Sequence, residues 1–215
     1  RWLCEAHTAE TLATALAVAH DLELPTLLLG GGSNLLCGDE GFDGLVIHNR
    51  VEGIHIDGET ATVAAGESFH GVIERLADAG LAGLGFAAGV PGSVGGAVFG
   101  NAGCYGQAIG DRVRDVVLVG PDGRGRRSVT AQQLVFEYRD SALQEGGEVV
   151  ESVTLQLEAG DPAGLRKEIE DNLDVRRTKH PVDLPSAGSY FKNLPPEQSG
   201  GRRVAAGLLL DRCGC

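Results

Sequence analysis

The sequence holds no methionine, no CxxC or HxxxH spacing, and no apolar stretch approaching the roughly 18 residues that a membrane-spanning helix requires. Without a methionine, residue 1 is not expected to be a translational start. The apolar run Val204 to Leu210 is followed only by Asp211-Arg212-Cys213-Gly214-Cys215, so the chain is expected to be an interior piece of a longer protein, truncated at both ends. Basic residues are scarce: 18 Lys and Arg stand against 30 Asp and Glu, a formal net charge of −12. That balance excludes general binding to nucleic acid or to an anionic membrane. Any anionic ligand must then be held by a few local cations and by backbone N–H groups. The five cysteines, at 4, 37, 104, 213 and 215, form neither a zinc pattern nor an even-numbered disulfide framework. Reduced thiols in a cytoplasmic protein are expected, with no metal site, since the six histidines are also scattered. No signal peptide, internal repeat or low-complexity tract is visible.

Glycine, in contrast, is abundant, with 33 residues, and it is concentrated in two runs. The longer is Gly85 to Gly106, GFAAGVPGSVGGAVFGNAGCYG; the shorter, Gly30-Gly31-Gly32-Ser33-Asn34, follows an apolar strand at Thr26 to Leu29. Glycine is favoured where φ is positive or where a side chain would collide with a ligand or a neighbouring backbone. The first loop can offer consecutive N–H groups as an anion nest, with the Ser33 hydroxyl and Asn34 amide beside it. It is not a phosphate-binding Walker loop, lacking Gly-Lys-Ser/Thr, nor a Rossmann fingerprint, because Leu35 stands where a third glycine is needed. In the second loop, Pro91-Gly92-Ser93-Val94-Gly95-Gly96 and Asn101-Ala102-Gly103 suit backbone laid against a flat ring and a diphosphate. Long loops of this kind in compact domains are usually functional. Together the two point to one large phosphate-bearing ligand.

Around them the pattern is mixed α+β. A helix from about Ala9 to His20 is capped by Thr8, with Leu12, Leu16 and Ala19 on one face. Strands are expected at Leu45 to His48, Ile54 to Asp57 and Ala61 to Ala65. Ser68 caps a helix with Phe69, Val72, Ile73 and Leu76 inward, closed by Gly80. Val113 to Val119 and Arg126 to Val129 form a hairpin through Pro121-Asp122-Gly123, and Val149 to Leu157 alternates as a strand. Asp161-Pro162 opens a helix carrying Leu165, Ile169 and Leu173, which ends in Arg176-Arg177-Thr178-Lys179 before His180-Pro181.

Three further segments can carry chemistry. Tyr138-Arg139-Asp140-Ser141 offers a guanidinium that could clamp a carboxylate, although an arginine between Tyr and Asp is more often a surface ion-pair partner. Ser186-Ala187-Gly188-Ser189-Tyr190-Phe191-Lys192-Asn193 brings small residues and donors together. Ser189 has no GxSxG context and does not read as a hydrolase nucleophile. Arg176, Arg177 and Lys179 complement the helix dipole or bind phosphate or carboxylate.

GGGSN, PGSVGGAVFGNAGCYG, YRDS, RRTKHP and SAGSYFKN, in this order over nearly the whole chain, closely resemble the UDP-N-acetylenolpyruvoylglucosamine reductase family. The resemblance implies the FAD-binding fold of the vanillyl-alcohol oxidase and p-cresol methylhydroxylase type, with two FAD subdomains and a substrate domain. Residues 1–48 would be the first FAD subdomain, 49–158 the second, and 159–215 the opening of the substrate domain. It further implies that NADPH reduces FAD and that hydride passes to C3 of the enolpyruvyl ether of a nucleotide sugar. Arg139 would polarise the substrate carboxylate and Ser189 would protonate C2. Tyr138, Lys179 and Asn193 would touch the substrate. Gly30, Gly31, Gly32, Ser33 and Asn34, with Gly89, Pro91, Gly92, Ser93, Gly95, Gly96, Asn101, Gly103 and Tyr105, would wrap FAD, and Val150 would meet its ring system. The shorter of two family types is implied, as a monomer without membrane or nucleic-acid partners.

Three departures stand out. By the resemblance, the family's catalytic glutamate would be expected beyond Cys215 and its Asn-Thr start before residue 1, and Leu194-Pro195 stands where the family usually has Asn-Pro. Little or no turnover is therefore expected of this stretch alone. Two rival readings remain: another FAD enzyme of the same fold, with Cys104 as a covalent attachment point, and a non-catalytic nucleotide-sugar binding module.

Overall fold

A computed structural model describes residues 1–179, 191–198 and 200–214. The chain divides into two units. The first comprises Arg1–Ser33 and Cys37–His180, and the second Asn34–Leu36 and Pro181–Cys215.

The first unit opens with β1 (Trp2–Ala6), α1 (Ala9–Asp21), β2 (Thr26–Leu29) and β3 (Leu45–Asn49). The three strands form a parallel sheet in the order β1-β3-β2, with Leu45 opposite both Trp2 and Thr26. Parallel neighbours need a crossover, and α1 supplies part of it. Thr8 caps α1 by accepting from the Thr11 N–H at 3.1 Å, and Leu12, Ala15, Leu16 and Ala19 turn inward. β1 has no apolar alternation in Trp2-Leu3-Cys4-Glu5-Ala6, and sequence reasoning missed it. Its strand state comes from pairing with β3.

There follow β4 (Ile54–Asp57), β5 (Thr60–Ala64), α2 (Phe69–Asp78) and β6 (Leu81–Ala82), then α3 (Val94–Phe99), β7 (Gly103–Cys104) and β8 (Gln107–Ala108). β9 (Val113–Val119), β10 (Arg126–Thr130), the single turns α4 (Ala131–Leu134) and α5 (Leu143–Gly146), β11 (Val149–Gln156), β12 (Glu158–Ala159) and α6 (Pro162–Lys179) complete the unit. The main sheet is antiparallel, ordered β10-β9-β11-β5-β4. Ser68 caps α2 by accepting from Gly71 N–H at 3.3 Å, and Phe69, Val72, Ile73 and Leu76 are all at most 2 % exposed. Burying such a side chain contributes roughly 1.5–3 kcal/mol, so this face fixes α2 on the sheet. α6 starts as its sequence predicts: Asp161 accepts from Gly164 N–H at 2.9 Å. Leu165, Ile169 and Leu173 pack on the main core, and Asn172 Nδ2 donates to Gly85 O at 3.0 Å.

The long glycine region is where the fold departs most from a loop. Gly85–Ala87 forms one 3-10 turn. Six residues of the run become α3, capped by Ser93, whose Oγ accepts from Gly96 N–H at 3.3 Å. Val94, Ala97 and Val98, at helical spacing, are buried, and that burial outweighs the poor helix propensity of Gly95 and Gly96.

In the second unit, Leu194 and Val204 exchange backbone hydrogen bonds in both directions. A helix α7 (Ala206–Cys213) follows, its Ala206 N–H donating to Asn193 Oδ1 at 3.1 Å. Among the described residues no helix is long and apolar enough to cross a membrane.

Candidate functional site

The two glycine loops, some sixty positions apart, cross each other at the start of α3. A Cβ on Gly31 would lie 2.8 Å from the Gly92 Cα, one on Gly92 would lie 2.8 Å from Ser33 Oγ, and one on Gly30 would collide with Ser93 Oγ. Backbone therefore runs against backbone, and Gly32, at φ +68°, turns the chain just beyond. Among the described residues, the N–H groups of Gly31, Gly32, Ser33, Gly92 and Ser93 donate to no protein acceptor. Unspent N–H groups on side-chain-poor backbone are the donor set that a diphosphate needs. Pro91 is exposed beside the crossing. Gly95 lies against Ala65 of the neighbouring turn, and Gly89, at φ +74°, lies against Leu173 and the stem of Arg176.

From this crossing α3 runs for six residues, roughly 9 Å at 1.5 Å per residue, to a second cluster of constrained backbone. Five non-glycine residues have positive φ in the described chain, and four of them, Asn101, Tyr105, Val135 and Arg139, belong to this cluster or its immediate flanks. Tyr105 and Gly106 (φ +53° and +82°) are the two turn residues of the β7–β8 hairpin. Both have the sign that a type I′ turn demands, and the Tyr105 ring is left 54 % exposed. Gly103 allows the two short strands to close, its Cα facing Ala108.

Arg139 sits third in the reverse turn Glu137-Tyr138-Arg139-Asp140, at φ +57°. The turn is closed by Glu137 N–H to Asp140 O at 3.1 Å and Asp140 N–H to Glu137 O at 3.3 Å. Positive φ in third place is the type II pattern, where glycine is the usual occupant. The Arg139 guanidinium meets no carboxylate among the described residues and lies 5.5 Å from the centre of the Tyr138 ring. Of thirteen arginines and lysines with described side chains between Arg1 and Thr178, eleven are in ion pairs. The two left over are Arg139 and Arg176. Both bear on Cys104, whose thiol pKa is pushed up by burial and drawn back by the positive charges of Arg176 and Arg139. Cys104 donates its Sγ–H to Phe86 O, so it is committed as a thiol. Sequence reasoning left Arg176 evenly divided between helix capping and anion binding; that it meets no carboxylate among the described residues was not visible in one dimension.

Other expected site residues fall as follows. The side chain of Val150 is buried in the main core, beside a bulge at Glu151 where Glu151 O accepts from Ala65 N–H at 3.0 Å. Asn101 is 7 % exposed, and both ends of its amide are engaged within the fold. Asn193 caps α7 in the second unit. Lys179 ends α6, with its side chain outside the described residues, as is all of Ser189.

An α+β fold with a glycine-lined crossing on one sheet and a second antiparallel sheet beyond it defines a class: FAD-binding proteins of the vanillyl-alcohol oxidase type. A family model described as "FAD binding domain" matches residues 2–128. The structure of 6-hydroxy-D-nicotine oxidase from Arthrobacter nicotinovorans superposes with TM-score 0.56 at 24% identity over 74% of this chain and 37% of that one, which is a likeness of fold. Within that class, UDP-N-acetylenolpyruvoylglucosamine reductase of Synechococcus sp. (strain RCC307) is 40% identical over 196 residues, 89% of this chain and 64% of that protein. The crystal structure of UDP-N-acetylenolpyruvylglucosamine reductase from Thermus caldophilus matches with TM-score 0.78 at 32% identity, covering 99% of this chain and 73% of that one. The chain belongs to the UDP-N-acetylenolpyruvoylglucosamine reductase family. It spans 64% of the length of the first of these relatives.

Proposed function

We propose that the protein is the FAD-dependent reductase of UDP-N-acetylenolpyruvoylglucosamine, forming UDP-N-acetylmuramate with NADPH as reductant, in the cytoplasm, for peptidoglycan precursor synthesis. In this reading residues 1–48 and 49–158 hold FAD and the chain from 159 onward begins the substrate domain. The observation that carries it is the glycine crossing, with its five unspent N–H groups, joined by α3 to an arginine with no carboxylate partner among the described residues. Gly30–Asn34 and the Gly89–Tyr105 segment would hold the dinucleotide, which supplies the hydride chemistry when bound.

The chain's own residues account for the remaining demands. Hydride addition at C3 drives negative charge onto C2 and the adjoining carboxylate. Arg139, which meets no carboxylate among the described residues, would hold that group at two points, and such a donor is worth a factor of about 10²–10³ in rate. Ser189 gives a proton to C2; a positioned acid adds roughly 10²–10⁴-fold. Tyr138, Lys179 and Asn193 would position the sugar nucleotide.

The test uses the complete gene product. It is expected to bind FAD without a covalent bond, so that the yellow colour leaves the polypeptide on denaturation, and to oxidise NADPH beyond the equivalent that reduces its FAD only when the enolpyruvyl substrate is present. Ser189→Ala should leave reduction of FAD by NADPH intact and nearly abolish its reoxidation by substrate. Equal loss in both half-reactions would overturn the role given to Ser189. NADPH oxidation that ignores the substrate would overturn the function.

A further inference from the structure

Asn101 connects two parts of the molecule that its own chain position does not. Its Oδ1 accepts from Gly110 N–H at 3.1 Å, and its Nδ2 donates to Glu137 O at 2.7 Å. Glu137 O is the same carbonyl that accepts from Asp140 N–H to close the turn bearing Arg139. The turn is held to the end of α3 by two further side chains: Ser141 Oγ–H donates to Phe99 O at 2.7 Å, and Gln144 Nε2 donates to both Phe99 O and Arg139 O at 3.2 Å. A left-handed arginine is strained by about 1–3 kcal/mol and persists only where its surroundings over-determine it. Asn101, itself at φ +43° and buried like Ser141, is the member of that set whose side chain bonds the Glu137 carbonyl that closes the turn.

We infer that Asn101 is a positioning residue: its amide latches the Glu137–Asp140 turn and so fixes where Arg139 presents its guanidinium to the substrate carboxylate. The inference rests on the reductase reading for the consequence, and on the geometry alone for the latch. Through α3 the latch also ties the arginine to the glycine crossing, so cofactor cradle and cation share one short strut. Small misplacements of such a group cost on the order of 10²-fold in rate.

Asn101→Asp isolates the effect. The substitution keeps an acceptor for Gly110 N–H and tolerates positive φ, but turns an ionised oxygen toward Glu137 O. In the protein without cofactor, hydrogen–deuterium exchange should show faster exchange at Glu137 and Asp140 N–H, with Gly110 unchanged. In the complete protein saturated with FAD and reduced by dithionite, reoxidation by the enolpyruvyl substrate should slow about 10- to 100-fold. Lowering the pH should shrink that defect in the variant and leave the parent unaffected, because the introduced carboxyl group regains a donor once it is protonated. Gln144→Ala, an exposed change, should slow reoxidation in the same direction if Asn101→Asp does not fold. Unchanged exchange at the turn would overturn the latch, as would reoxidation of the saturated variant at the parent's rate. Failure of the parent's reduced flavin to be reoxidised by the substrate would sink the reductase reading and leave the exchange result to decide the latch.

Discussion

At the scale of single residues, the glycines separate into those the fold itself requires and those it does not. Gly31 meets the Gly92 backbone, so a methyl group there forces two backbones apart. Gly31→Ala is expected to destabilise the chain by roughly 1–3 kcal/mol, as overpacking does, read from a urea midpoint. Gly96 is different. A Cβ there would touch only Ser93 Oγ, at 3.4 Å, in an exposed helical position. Alanine at 96 should therefore raise the stability of the cofactor-free protein by up to about 1 kcal/mol. If backbone is kept bare at that position to admit the dinucleotide, the same change should weaken FAD binding in a titration. Unchanged affinity would remove Gly96 from the cradle. Sequence alone could flag the glycine runs, but it could not tell a backbone crossing from a ligand contact, because the partner loop lies some sixty positions away.

At the scale of elements, what was legible had local causes. α1, α2 and α6 announced themselves through Thr8, Ser68 and Asp161 followed by apolar residues at helical spacing, and the hairpin of β9 and β10 through Pro121-Asp122-Gly123. α3 carried the same signals, Ser93 and then Val94, Ala97 and Val98, submerged in glycine. β1 carried none. Arg139 was legible as a candidate and not as a cation without a described carboxylate partner, since Asp140, next to it in sequence, turns its carboxylate to its neighbour's N–H at 2.9 Å instead. The short strand β7 yields a chemical prediction of its own. Burial raises the Cys104 thiol above its ordinary 9.0, so the protonated form is favoured in the fold. The associated stability is present below that ordinary value and is lost as pH rises through the folded one. Iodoacetamide at neutral pH is expected to modify exposed Cys37 well before Cys104; mass spectrometry of timed digests checks the order, and equal rates would contradict it.

At the scale of the whole molecule, charge is the organising quantity. The chain carries a formal net charge of −12, yet nearly every described cation in its first 178 residues is already committed to a carboxylate. Arg176, one of the two that are not, lies with its Cδ and Nε against Gly89. Arg176→Gln keeps that stem and should leave stability within about 0.5 kcal/mol. Loss of a charged hydrogen bond to an anion corresponds to roughly 1.5–3 kcal/mol. Binding of either FAD or UDP-N-acetylglucosamine, titrated separately, should therefore weaken about tenfold or more. If neither weakens, Arg176 has no place in the site. Along those described residues the paired cations leave an anionic polymer no basic track to follow. Recognition of a compact dianion would then fall to bare backbone N–H groups and to the two guanidiniums without a described carboxylate partner.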